Sequence, residues 1–287
     1  MNGLNSAFHR FSGRTKALVV TVALVIAATV CCAQYRNRSF RRPVMDRSDV
    51  PEWQNDAEFK KDVFTFVRIK YSSGRYGGWE KWTIDYPDSD LNLSYRLQQL
   101  TSLKVDPNPK VVELTDPELF TYPWIYIVEP GDMELTEAEV SCLRRYLLNG
   151  GFLMVDDFWG EREWHTFYTQ IKRVFPNREP IELDMDHPIF HCVFDLKVEK
   201  NQLQVPNFMT GEQSKYTHVT WERYDARDVH FRAIFDDKNR MMVIICHNTD
   251  NGDGWEREGE YEYYFREFSE KKAYPLGINI IFYAMTH

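Results

Sequence analysis

The sequence predicts an α/β protein, a three-layer sandwich with helices on both faces of a mostly parallel sheet. Two short apolar runs, residues 125–128 (Ile-Tyr-Ile-Val) and 152–155 (Phe-Leu-Met-Val), read as strands buried on both faces. Between them Val140, Leu143 and Leu147 recur at helical spacing, while Arg144 and Arg145 turn outward. A strand, a helix and a second strand within about 35 residues make one right-handed crossover unit. A further buried run, Met-Met-Val-Ile-Ile-Cys-His at 241–247, closes the pattern far down the chain.

Local signals frame the crossover helix. Thr136 reads as its N-cap, Glu139 completes a capping box, and Leu135 and Val140 stand where a hydrophobic staple forms. Gly150 and Gly151 after Asn149 provide the exit.

The 287 residues allow one large or two small domains, and the 43% hydrophobic content is that of a globular chain. Aromatic content, 15%, is high. Residues 1–33 stand apart: His9, Arg10, Arg14 and Lys16 precede an apolar run over 17–28, then small residues up to Ala33. This is the layout of a secretory signal peptide, with a retained N-terminal anchor as the alternative. The run is shorter than the roughly 20 residues a spanning helix needs, which favours cleavage near Ala33. Cleavage removes three basic residues and no acidic ones, taking the net charge from −8 to −11. An acidic mature chain argues against nucleic acid as a partner. Residues 34–60 read as a linker whose Arg36, Arg38, Arg41 and Arg42 give a basic arm for membrane proximity.

A single α/β domain is expected over residues 61–287. Its first strand is 63–71, alternating and rich in β-formers. The loop that follows contains Ser72 and Gly74 but neither a dinucleotide fingerprint nor a P-loop lysine. Trp79, Trp82, Tyr86, Asp85, Asp88 and Asp90 continue it, with Asp90 expected to cap a helix whose core face is Leu93, Leu97 and Leu100. A second strand is expected at 111–114. After Gly160 a helix carries Trp164, Phe167, Tyr168, Ile171 and Val174, and stops before Pro176. His187 and His191 would share a face if helical, although a short helix opened by Asp186-His187-Pro188 is the plainer reading. Residues 197–230 read as an irregular excursion with extended segments. Residues 232–237 and 241–247 form a strand pair, and helices over 261–271 and 274–285 finish the chain, the last with a strand as the alternative. The parallel strands 63–71, 111–114, 125–128, 152–155 and 243–247 are expected in the order 2-1-3-4-5.

Ligands of open α/β sheets bind beyond the carboxyl ends of the strands. That places Ser72, Gly74, Trp79, Glu129, Asp156, Asp157, Trp159, His247, Asp250 and Trp255 on a ligand-binding rim. Neighbouring strand residues point to opposite faces, so Asp157 is expected in the crevice, while Asp156 caps a helix or pairs with Arg68 or Arg162. Asp157 and His247 are the candidate acid–base pair. Asp250, Asp253 and Glu256 could hold a divalent cation, since Asp-x-Asx-Gly resembles the start of a calcium loop, but the spacing of an EF-hand is not met. No other cofactor is expected. Cys142, Cys192 and Cys246 lie in apolar runs and read as inert thiols, with at least one unpaired.

The stretches LRRYLLNGGFLMVDDFWG, DHPIFHCVFDL, VIICHNTDNGDGWERE and EKKAYPLGINIIFYAMTH closely resemble a bacterial family, domain-of-unknown-function family 4159, from about Phe64 to His287. That resemblance implies a flavodoxin-type, class I glutamine-amidotransferase-like fold and a cell-envelope context near von Willebrand-type and AAA-type ATPase genes. It implies no established activity. Amidotransferases carry a cysteine on the turn after the strand equivalent to 152–155; here that turn is Asp156-Asp157-Phe158-Trp159-Gly160. A carboxylate cannot replace the thiolate nucleophile. The expectation is an exported, periplasmic or envelope module that binds a protein partner or a small polar or carbohydrate ligand without catalysis. The alternative is a metal-assisted or acid–base hydrolase using the strand-end carboxylates with His247.

Overall fold

Strands β1 (Val67–Lys70), β2 (Lys110–Glu113), β3 (Trp124–Val128), β4 (Phe152–Asp156), β5 (Ile181–Glu182), β6 (His230–Phe235) and β7 (Met241–His247) form one sheet, ordered β2-β1-β3-β4-β7-β6-β5. β2, β1, β3, β4 and β7 are parallel and stand in the flavodoxin-like order expected from the sequence. β6 then pairs antiparallel with β7, and β5 antiparallel with β6. In this computed structural model, residues 50–56, 62–72 and 80–287 are described. The expected leader 1–33, most of the linker, Gly74 and Trp79 lie outside them. Residues Pro51–His287 form one compact unit.

The apolar runs are doubly buried because the sheet separates two cores. Along β3 the parity alternates: Trp124, Tyr126 and Val128 face one core, Ile125 and Ile127 the other. β4 and β7 follow suit, with Met154, Ile244 and Cys246 on the first side and Leu153, Val155 and Ile245 on the second. The first core is roofed by α1 (Asp88–Leu100), through Leu93 and Leu97, and by the C-terminal helix α6 (Tyr274–Thr286). The second is roofed by α2 (Glu137–Leu148) and α3 (Gly160–Val174). Thr136 and Glu139 make the capping box that starts α2. Helices α4 (Phe208–Thr217) and α5 (Asn251–Glu256) lie between α3 and α6 in the chain. Among the described residues no helix is long and apolar enough to cross a membrane.

Several expectations are corrected. β1 is short: Phe64 makes only an isolated bridge to Val105. Asp90 does not cap α1, which begins at Asp88; it lies in the first turn, where Arg68 binds it. Residues 197–230 contain no strand before β6 but do contain α4, capped by Asn207 and seated on Tyr264, whose ring fills the space a Cβ at Gly211 would take. For His187 and His191 the plainer reading, a short helix opened at Asp186-His187-Pro188, is the one found, and the two do not share an α-helical face. His187 caps the 3₁₀ turn Pro188–Phe190, and the ring of His191 contacts Asp195 and the Met185 carbonyl, both at 2.7 Å. The chain from Glu262 is helical to Thr286 and passes through a π-helix, Phe265–Ala273. The sheet edges are modest. β5 has two residues, both exposed, and β2 has four, of which Lys110 and Glu113 are exposed.

Candidate functional site

The parallel strands end in sharp turns built by polar residues in the left-handed region: Glu129 (φ 45°) after β3, Asp157 (φ 55°) after β4 and Asn248 (φ 62°) after β7. Asp85 (φ 62°), just before α1, is a fourth. Short polar side chains tolerate this conformation better than most. The turns are tied together. Asp157 N donates to Thr249 O at 3.1 Å, Asn248 N to Phe158 O at 2.9 Å, and Gly160 N to Asn248 Oδ1 at 2.8 Å. The Tyr71 hydroxyl reaches the carbonyls of Val128 and Glu129 at 2.8 and 2.7 Å.

Asp156 and Asp157 diverge at this turn. Asp156 is fully buried and accepts from Tyr126 Oη (3.1 Å), Asn251 Nδ2 (2.8 Å) and Gly252 N (3.1 Å). It joins β3, β4 and the start of α5. Burial pushes its carboxyl up to about 7 against the pull of these hydrogen bonds. Neither Arg68 nor Arg162, the partners expected from sequence, reaches either aspartate. Arg68 is spent on Asp90, and Arg162 on Asp132 and Glu163.

Asp157 enters a different group. One carboxylate oxygen from each of Asp85, Asp157 and Asp250 lies within 4.8 Å of the others, and all three residues are buried. Asp85 also belongs to a second group of the same dimension, with Asp253 and Glu256. The three residues singled out for a cation thus divide between two groups that share Asp85. Asp250 caps α5 by accepting from Asp253 N at 2.7 Å, and Asp157 accepts from Trp159 Nε1 at 3.0 Å. Gly252 permits the crowding: a Cβ there would overlap Asp85 Oδ2.

The carboxylates around Asp157 and Asp250 raise one another. Burial, then the charges of Glu129, Asp85 and Glu222, hold Asp157 well above the usual carboxylate range. Burial, then Asp157, Asp253 and Asp85, do the same to Asp250. Glu222, from the segment after α4, is pushed up to about 7, mainly by burial and also by Asp253 and Glu129. Among the described residues, two cations nearby are already engaged. Arg257 Nε lies 3.3 Å from Asp253 and 2.9 Å from Glu256, and Lys81 pairs with Glu129. Asn251 Oδ1, on a fully buried side chain next to Asp250, has no hydrogen-bond partner. Clustered carboxylate oxygens are a donor set of hard divalent cations such as calcium and magnesium.

His247 does not join this group. Its Nδ1 accepts from Arg232 Nη1 and its Nε2 donates to Gly160 O, both at 3.3 Å. Its ring packs on Phe158 and Trp164. Burial, with Arg232 beside it, lowers it to about 3, so the imidazole is neutral with both nitrogens engaged. None of its hydrogen bonds reaches a rim carboxylate, and the Asp157–His247 acid–base pair does not form. Trp255 is likewise no rim platform. It is wholly buried, with Nε1 on Ala273 O at 2.9 Å. Ser72 is exposed and uses its carbonyl to accept from Glu134 N at 3.1 Å.

The start of α3 is equally committed. The N–H groups of Trp159, Gly160 and Glu161 donate to Glu163 Oε2, Asn248 Oδ1 and Asp225 Oδ2 at 2.8, 2.8 and 3.1 Å. These donors, which at a helix start would otherwise receive an oxyanion, serve the fold. Sequence reasoning missed Asp85 and Glu222 as members of the site. Parity along β7 would have removed His247 from it, because Val243, Ile245 and His247 share the α3 side of the sheet.

The family model described as Domain of unknown function (DUF4159) matches residues 65–285 of the chain. No curated protein matches it.

Proposed function

The chain belongs to the DUF4159 family, and we propose that it is a cation-organised binding module. A hard divalent cation held on Asp85, Asp157 and Asp250 fixes the strand-end turns that meet a polar ligand or protein partner. The observation that carries this reading is the approach of three buried carboxylate oxygens to within 4.8 Å of one another. Like charges at this separation repel strongly outside water, and a divalent cation shared by the three carboxylates relieves that repulsion. The second group is less suited, since Arg257 already spans Asp253 and Glu256. A catalytic role for His247 draws no support from its contacts.

Equilibrium dialysis of chelator-treated protein against calcium or magnesium tests the reading. The expected outcome is one retained equivalent per chain, lost in Asp85→Asn and Asp250→Asn. Retention of no cation by the parent would refute it.

Export to the periplasm or cell envelope is part of the same proposal and is supported by the charged, apolar and small-residue blocks of residues 1–33. Intact mass of protein from its native envelope should correspond to a chain beginning near Gln34. A mass that retains residues 1–33 would make it an anchored protein.

A further inference from the structure

We propose that Arg68 is the positioning residue of the cation centre, setting Asp85 where Asp157 and Asp250 require it; this rests on the cation reading above. Asp85 is the member of that group contributed by the segment before α1 rather than by a parallel strand's end. Its backbone is also in the left-handed region. Something must hold the flanking chain.

Arg68 does so from inside the sheet. It stands in the middle of β1 and is fully buried. Its Nη1 donates to Trp82 O at 3.1 Å and to Ile84 O at 2.9 Å. The Ile84 carbonyl belongs to the same peptide plane as the Asp85 nitrogen, so fixing that oxygen fixes the plane from which Asp85 departs. On the far side of Asp85, Nη2 donates to Ser89 Oγ at 2.8 Å and to Asp90, and Nε to Asp90 Oδ2 at 2.9 Å. Ser89 Oγ in turn donates to Asp90 Oδ1 at 2.8 Å. The guanidinium therefore grips the chain on both sides of Asp85. Its carbon lies 5.1 Å from the ring centroid of Tyr126, whose hydroxyl holds Asp156. One side chain connects the Asp85 segment to the pin at the end of β4.

Charge and geometry act in opposite directions here, which makes the role testable. As a bare positive charge near Asp85, Arg68 weakens the binding of a cation. As a planar fork it strengthens binding, by presenting Asp85 already in place. A lysine keeps the charge, but its ammonium cannot span two carbonyls, a hydroxyl and a carboxylate with fixed angles.

The experiment measures calcium affinity by calorimetry, and terbium luminescence as a second probe, on full-length parent, Arg68→Lys, Asp90→Asn and Phe167→Leu. Phe167 lies in the core on the other face of the sheet and controls for general loss of stability. Arg68→Lys is expected to bind calcium about 10- to 100-fold more weakly, the usual cost of removing a group that orients a metal ligand. Asp90→Asn should lose affinity in the same direction by a smaller factor, and it decides the matter if Arg68→Lys does not fold. Phe167→Leu should melt lower yet bind as the parent does. Parental affinity in Arg68→Lys, or an equal loss in Phe167→Leu, overturns the positioning role and leaves the cation reading standing. A parent that binds neither ion overturns both.

Discussion

Asp157→Asn is expected to melt at a higher temperature than the parent in chelator, and to lose the rise in melting temperature that calcium gives the parent. The substitution suits the site. Asparagine is isosteric, tolerates the φ of 55° at this position, and can still accept from Trp159 Nε1. What it removes is a carboxylate from a buried group in which Glu129, Asp85, Glu222 and Asp156 all raise it by their charge. Relief of such functional strain is commonly worth about 1–2 kcal/mol. In a domain of this size that is about 2–8 °C. The parent, with calcium at a hundredfold excess over its dissociation constant, should gain about 2.7 kcal/mol, which the variant forfeits.

A pH dependence accompanies this result. Asp157 and Asp250 have folded values raised above the usual carboxylate range, so the native state binds more protons than the unfolded chain. Their contribution is present at low pH and is lost as pH rises above about 4 through the raised values. His247 acts in the opposite sense. Its folded value of about 3 lies below the ordinary 6.5, so its contribution is lost as pH falls from 6.5 toward 3. Cation-free parent melted at pH 5.5 and 7.5 should therefore lose more stability on going to 7.5 than Asp157→Asn does. A variant that melts lower than the parent and still responds to calcium would remove Asp157 from the centre.

Asp156→Ala carries the largest expected loss. Truncation strands the buried Tyr126 hydroxyl, Asn251 amide and Gly252 N–H without their acceptor, and it unties α5 from the sheet. Each buried donor left unsatisfied costs about 1–3 kcal/mol, and breaking a network of this kind about 3–5 in all. The melting temperature should fall by about 6–20 °C. Asp156→Asn should be milder, since one oxygen remains to accept and the parent carboxyl, near 7, is already protonated part of the time at neutral pH. Thermal melting of both variants beside the parent decides the matter. An Asp156→Ala protein that melts within a degree or two of the parent would show that the pin does not hold the strand ends.

The central crossover was legible because its signals are local. The capping box of α2 lies within four residues, and the β3 and β4 runs are apolar throughout because both faces of the sheet are covered. α4 was not legible, because its apolar residues form no stripe and its place is set by a tyrosine far along the chain. At the site, Asp157 and Asp250 were visible as strand-end residues. Asp85 was not, because its role depends on two distant partners, the arginine that holds its loop and the glycine that lets its carboxylate approach α5. Trp255 looked like a contact aromatic, yet glycine at position 277 lets the C-terminal helix close over its indole. Spacing along a sequence records none of these meetings.

The two ends of the sheet bear on how another molecule can attach. Strand addition needs a row of free backbone groups several residues long. At one margin β5 offers two residues, and at the other β2 offers four bracketed by Lys110 and Glu113. Among the described residues both margins of the sheet are short templates for a foreign strand. A molecule that docks on these margins would meet mainly side chains and loops, whose chemistry differs from one position to the next.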